Sequence, residues 1–159
     1  MKQTGWIGVD LDGCLAKYEG WVNAGHVGEP VPKMLARVKC WLAEGIEVRI
    51  FTARVGPQKD VNETIRAREA IEKWCQEHLH AVLPITATKD FQMMSLWDDR
   101  CVQVIPNSGV AVQDISSKAA AYVNCIIKPN HDDREAEELL HDFIAVMSCL
   151  NESLDANAE

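Results

Sequence analysis

The 159-residue chain has the length of one ordinary domain, and its 47% hydrophobic and 25% charged content excludes a wholly disordered or collagen-like polymer. Sixteen Lys and Arg against 24 Asp and Glu leave a net charge of −8. That balance argues against broad electrostatic binding to nucleic acid or anionic membrane, while a small phosphorylated ligand stays open.

No apolar run reaches the roughly 18 residues of a membrane span. Met1 to Gly13 shows no secretory signal, so a cytoplasmic location is expected. The cysteines Cys14, Cys40, Cys75, Cys101, Cys125 and Cys149 form no Cys-x-x-Cys pair, which speaks for reduced thiols and against a zinc knuckle.

In chain order, Trp6 to Val9 is a short apolar run that stops at Asp10 and predicts a buried strand. Gly13 to Pro32 is dense in Gly and Pro and predicts a loop or small hairpin carrying Tyr18 and Trp21. Met34, Leu35, Val38, Trp41 and Leu42 fall at helical spacing, with Pro32 suited to the first turn and Gly45 to the end. Ile46 to Phe51 predicts a second strand. Asp60 to His80 predicts the longest helix, with Val61, Ile65, Ile71, Trp74 and Leu79 on its apolar side. Val82 to Thr86, Ser95 to Trp97 and Cys101 to Ile105 are further strand candidates. Asp132 to Asn151 predicts an amphipathic helix that packs on its own sheet or at a homodimer interface. Alternating strands and helices specify an α/β class: a Rossmann-like α/β/α sandwich on a mainly parallel sheet, in one domain over 1–159.

Four features follow predicted strand ends, the edge where open α/β sheets hold ligands. They are Asp10-Leu11-Asp12-Gly13-Cys14-Leu15, Thr52-Ala53-Arg54, Lys89 and Asp98-Asp99. Converging carboxylates of Asp10, Asp12, Asp98 and Asp99 would repel one another by roughly 4 kcal/mol per close pair at an effective dielectric near 20. Such a group calls for a hard, oxygen-seeking cation, and Mg²⁺ fits better than zinc in carboxylate-rich surroundings.

These motifs resemble those of the haloacid dehalogenase superfamily of phosphohydrolases, over about Trp6 to Asn107. Asp10 to Leu15 is similar to its first motif, with Cys14 where Thr is commonest. Thr52 stands for the second motif, Lys89 for the third and Asp98-Asp99 for the fourth; Lys59 and Lys73 also lie in the interval open to the third. The resemblance implies that Asp10 is the nucleophile and forms an aspartyl-phosphate, and that Asp12 is the general acid and then the general base. It further implies that Thr52 and Lys89 hold the phosphoryl oxygens. Mg²⁺ would be bound by Asp10, Asp98, Asp99 and the backbone carbonyl of Asp12. The presence of Asp12 points away from dehalogenation.

Only Cys14 to Val31 and Val55 to Asp60 are available as insertions, too short for a cap domain, so a capless site with a flap over 14–31 is expected. Tyr18, Trp21, Asn23 and His26 on that flap are candidates to contact a leaving group. Arg54 and Arg100 stand beside motif residues and either bind substrate or pair with acidic neighbours. Phosphoryl transfer to another acceptor is an alternative to hydrolysis. A nucleic-acid end is an alternative substrate, served by a strip of Arg49, Arg54, Lys59, Arg66 and Arg68. A protein that only holds phosphate and metal is the third alternative.

Overall fold

The computed structural model describes residues 5–57, 60–106, 109–113, 117, 119–121, 134, 137–141 and 144. The chain divides into two compact units, Met1–Arg100 and Cys101–Glu159. In the first unit the elements are β1 (Trp6–Asp10), α1 (Pro32–Ala43), β2 (Glu47–Phe51), a 3-10 turn (Ala53–Val55), α2 (Val61–Leu79), β3 (Ile85–Thr86) and β4 (Met93–Trp97). The strands form one sheet in the order β3-β2-β1-β4, with every neighbouring pair parallel. This is the α/β, Rossmann-like architecture that the strand–helix alternation predicts.

Local chemistry sets the element ends. Pro32 opens α1, where its missing N–H costs no hydrogen bond. Gly45, at φ +75°, closes it: its N–H donates to the Leu42 carbonyl and the Ile46 N–H to the Trp41 carbonyl, the paired bonds of a Schellman end. Asp60 caps α2, its Oδ1 accepting from the N–H groups of Asn62 and Glu63 at 2.9 and 3.1 Å. His80 ends that helix in a left-handed conformation.

The period-2 alternation of the strands divides the sheet. Ile7 and Val9 of β1 and Val48 and Ile50 of β2 point to one face, where they pack with Met34 and Val38 of α1 and Ile71, Trp74, Cys75 and Leu79 of α2. Both crossover helices therefore cover the same face. Of the three layers expected, the sheet and this helical layer are described. The expected helix over 132–151 falls largely outside the described residues, although Arg134, 137–141 and Ile144 are helical.

Two expectations need correction. The buried stripe of α2 begins at Ala67, and Val61 and Ile65 are exposed. Cys101 to Ile105 is not a strand of the sheet. Val104 instead makes an isolated antiparallel bridge with Ala111, and Ile105 N–H donates to the Val110 carbonyl. Pro106 and Gly109 turn the chain back on itself there, so the segment pairs locally.

The opposite face carries Trp6 and Arg49. Because β3 and β4 lie at opposite edges, the connection 87–92 must cross β2 and β1. Asp90 fastens it: its carboxylate accepts from Trp6 Nε1 at 2.8 Å and from Arg49 Nη1 at 3.0 Å, while the Arg49 guanidinium lies 4.4 Å from the Trp6 ring centre. Trp6 is fully buried, so its indole N–H needs that acceptor.

These contacts hold the Asp90 carboxyl below the usual carboxylate range, the Trp6 hydrogen bond contributing most and the Gln92 N–H and Arg49 adding to it. A carboxyl made more acidic by folding stabilises the fold at neutral pH and loses that contribution as pH falls through its folded value. Asp90→Asn is therefore expected to flatten the acid limb of the stability–pH profile, measured by denaturant titration. An acid limb unchanged by the substitution would contradict this role.

Candidate active site

The carboxyl ends of β1, β2 and β4 open on one cavity of about 370 Å³. Asp10, the last residue of β1, lines it, as do Asp98 and Asp99 just past β4. Thr52, Ala53 and Arg54 enter from the end of β2, and Tyr18 and Trp21 from the flap.

Asp10 and Asp12 reach the same cavity because the loop between them and Ala16 is bent tightly. The Leu15 N–H lies 3.1 Å from both the Asp10 and Leu11 carbonyls, the Ala16 N–H reaches that of Leu11, and the Gly13 N–H donates back to Ala16. Leu11 and Leu15 are fully buried and anchor the turn from below. Gly13 sits at φ +95°, and a Cβ there would lie 2.8 Å from Asp99 Oδ2. Glycine is required on both counts: the backbone is left-handed and a carboxylate occupies the side-chain position.

Asp10 is an unusual carboxyl. Burial, followed by the charges of Asp98, Asp12 and Asp99, pushes its pKa up to about 7. Cys14 feels the same field. Burial first, then Asp10, Asp99 and Asp98, raise its thiol to about 11, and its Sγ donates to the Trp97 carbonyl at 3.5 Å. A neutral thiol is a poor nucleophile, so Cys14 serves here as a small packing residue.

Asp12 has a different environment from the one expected. Its Oδ2 accepts from Arg54 Nε and its Oδ1 from Arg54 Nη2, both at 2.6 Å. Arg54 Nη1 donates to the carbonyls of His26 at 2.6 Å and Ala24 at 3.4 Å. These four bonds engage four of the five N–H groups of a guanidinium that is only 6% exposed. Arg54 is thus a clasp between Asp12 and the flap: of the two roles open to it in the sequence, substrate ligand or partner of an acidic neighbour, the structure shows the second. The clasp occupies the Asp12 side chain; the ligand that the resemblance implies at this position, the Asp12 backbone carbonyl, is not engaged by it.

The flap is fastened at further points. Lys17 N–H donates to the Glu29 carbonyl, Val31 N–H to Leu15, and Trp74 Nε1 to the Gly28 carbonyl at 2.8 Å. A Cβ on Gly28 would collide with the Lys17 carbonyl. His26 contributes its backbone carbonyl to the clasp, and its side chain does not line the cavity.

Thr52 is 2% exposed, and its Oγ1 accepts from the Arg54 N–H at 3.2 Å, which leaves the hydroxyl hydrogen available to an acceptor. Lys89 does not line the cavity. Thr88 is still tied to Thr86, whose Oγ1 donates to its carbonyl at 3.1 Å, but by Asp90 the chain is over the sheet face at Trp6, and Lys89 lies exposed on that crossing. Lys59 lies outside the described residues. Arg100 does line the cavity and makes no ion pair among the described residues. Phe51 and Ala87 also line it. Phe51 ends β2 and Ala87 follows β3, so strand-end position was the signal that could have found them.

Among the described residues of the strip considered for a nucleic-acid end, two arginines are engaged by acids. Arg49 is paired with Glu47 and Asp90, and Arg54 with Asp12. Arg66 shares a separate depression with Glu63 and Glu69.

Among the described residues no three His, Cys, Asp or Glu side chains form a chelating cluster. With Asp12 held by Arg54, the carboxylates left to face a cation are those of Asp10, Asp98 and Asp99. That sparse oxygen set fits Mg²⁺, which is commonly held by one or two carboxylates and keeps several waters. It would not suit zinc, which takes nitrogen and sulfur donors in a closed site.

No described helix is long and apolar enough to cross a membrane. No family model and no curated protein matches the chain. Among solved structures, a conserved protein from Bacteroides thetaiotaomicron is similar at 20% identity, with a TM-score of 0.45, over 65% of this chain and 83% of that one.

Removing the clasp should be costly, because hydrogen bonds to charged groups are lost and a carboxylate is left without its partner. Arg54→Ala is expected to lower stability by about 2–3 kcal/mol and to open the flap to proteolysis between Lys17 and Glu29. Arg54→Lys should recover only part of this, since an ammonium cannot make the two-pronged contact. Denaturant melts and limited proteolysis check both; wild-type stability in Arg54→Ala would contradict the clasp.

Proposed function

We propose that the chain is a Mg²⁺-dependent phosphomonoester hydrolase of the haloacid dehalogenase type, acting through Asp10. The observation that carries this is the convergence of Asp10, Asp98 and Asp99 from two neighbouring parallel strands on one cavity, with Thr52 beside them from a third. Asp10 and Asp98 are half-buried and Asp99 is exposed, and like charges gathered this way call for a counter-charge. Free thiols at Cys14, Cys40 and Cys75 accord with a reduced, cytoplasmic setting.

Asp10, Asp98 and Asp99 would hold the cation, which when bound neutralises phosphate charge and lets a carboxylate approach the dianion. An Asp10 oxygen then attacks phosphorus, and the bond from phosphorus to the leaving oxygen breaks. Asp12 gives that oxygen its proton. In the second half, water attacks the aspartyl-phosphate, Asp12 takes the water's proton, and the Asp10–phosphorus bond breaks to release phosphate.

Arg54 shapes the Asp12 role. With both oxygens accepting from the guanidinium, each keeps one lone pair directed elsewhere, which suits a base. To act as an acid, Asp12 must loosen one of these bonds. Thr52 would donate its hydroxyl hydrogen to a phosphoryl oxygen. Arg100, which lines the cavity and makes no ion pair among the described residues, is better placed than Lys89 to meet the others.

The test is phosphate release from a panel of monoesters, with Mg²⁺ and with chelator. Asp10→Asn should abolish release while the melt stays wild-type; full activity in that variant would remove the nucleophile. Asp12→Asn should cost about 10²–10⁴-fold on an alkyl ester and much less on a nitrophenyl ester, whose leaving group needs no proton. Equal losses on both would contradict the acid role. Arg100→Ala should raise KM at least tenfold while Lys89→Ala changes it little, and the reverse result would restore Lys89.

A further inference from the structure

We propose that the flap side of this cavity is a leaving-group subsite for a planar aromatic ring, so that the substrate is a small phosphomonoester bearing such a ring. This rests on the phosphatase assignment above and narrows it. Tyr18 and Trp21, on the flap, and Phe51, at the end of β2, bring three aromatic side chains to the cavity that holds Asp10. Tyr18 is 41% exposed and Trp21 48% exposed, so much of each ring is left to solvent.

The flap has several attachments besides those rings. It is fastened by Arg54 on the Ala24 and His26 carbonyls, by Trp74 on Gly28, and by the Lys17 to Glu29 backbone bond. Its buried side chain at the clasp is Ala24, at 5% exposure. Trp21 is itself set in place, because the clasped Arg54 guanidinium lies 5.2 Å from its ring centre. A fixed, half-exposed aromatic beside a charged pocket is a stacking platform that a ring can occupy without a large ordering cost.

The polar half of the cavity matches a single phosphate rather than a polymer. Its formal charges are the carboxylates and Arg54 and Arg100, and Arg54 is already engaged by Asp12. Flanking phosphodiesters would meet a chain of net charge −8 whose Arg49 and Arg54 are paired with acids. Among the described residues lining the cavity, the neutral polar groups are the hydroxyls of Thr52 and Tyr18 and the indole N–H of Trp21, two of the three borne on aromatic rings. Two sources share the favoured chemistry: nucleoside monophosphates and small aryl phosphates.

The experiment compares kcat/KM for adenosine and uridine monophosphates, phenyl phosphate, glucose 6-phosphate and glycerol 3-phosphate, in wild type, Trp21→Ala, Trp21→Phe and Tyr18→Ala. Esters bearing a planar aromatic ring should exceed glucose 6-phosphate and glycerol 3-phosphate by about tenfold or more, the scale of one base stacked on an aromatic side chain. Trp21→Ala should raise KM for the preferred ester by about five- to a hundredfold with kcat little changed, and Trp21→Phe should restore much of it. Preference for the nucleotides over phenyl phosphate, or the reverse, identifies the source. Equal kcat/KM across the panel, or an equal KM rise for every ester in Trp21→Ala, would overturn the subsite and leave the hydrolase standing. Calorimetric titration of Asp10→Asn with adenosine monophosphate and phenyl phosphate separates the two claims. Trp21-dependent binding without wild-type turnover supports the subsite against the hydrolase; neither binding nor turnover overturns the subsite.

Discussion

A guanidinium buried at the end of a parallel sheet must find acceptors for its N–H groups. Arg54 finds them in the carboxylate of Asp12 and in two carbonyls of the flap. Much of the site depends on that contact. It sets the direction of Asp12, fixes the flap to the end of β2, and supports the ring of Trp21. It also changes the charge balance. Of the four carboxylates that line the cavity, one is paired with a permanent cation and three have no ion pair among the described residues. Two neighbouring acids two residues apart in the chain thereby acquire different partners, and different partners are how one fold gives two carboxylates different work.

The remaining acids explain why the proposed chemistry requires a metal. Asp10 is raised to about 7 by burial and by its acidic neighbours, a state in which the carboxylate is disfavoured until positive charge arrives. A cation and a phosphate dianion would satisfy each other and the acids together. Such a site is poorly suited to its own stability, and the fold compensates below it. Leu11 and Leu15 are fully buried beneath the loop, and Ile7, Val9, Val48 and Ile50 lock the strands to α1 and α2.

Much of this was legible in the residues. The β1 run ending at Asp10, the Gly45 and Asp60 helix boundaries, and the placement of Thr52 and Asp98-Asp99 at strand ends follow from periodicity and local chemistry, which act over a few residues. Three features were not legible. Lys89 follows an apolar run and reads as a strand-end cation, but the sheet order sends residues 87–92 across two strands, and that order is a non-local property. The Arg54 clasp joins positions 12, 26 and 54, and adjacency to a motif could not distinguish a substrate ligand from a partner of Asp12. Cys101 to Ile105 has strand composition, but Pro106 and Gly109 let it pair with its own continuation instead.

The central claim is that Asp10 becomes covalently phosphorylated during turnover. Acid quenching of the protein during steady-state hydrolysis of the best ester with Mg²⁺, followed by peptide mass spectrometry, tests it directly. The account predicts one added phosphoryl group on the peptide containing Asp10, labile at alkaline pH and absent from Asp10→Asn. Hydrolysis at full rate with no adduct, or with the group on another residue, would contradict it.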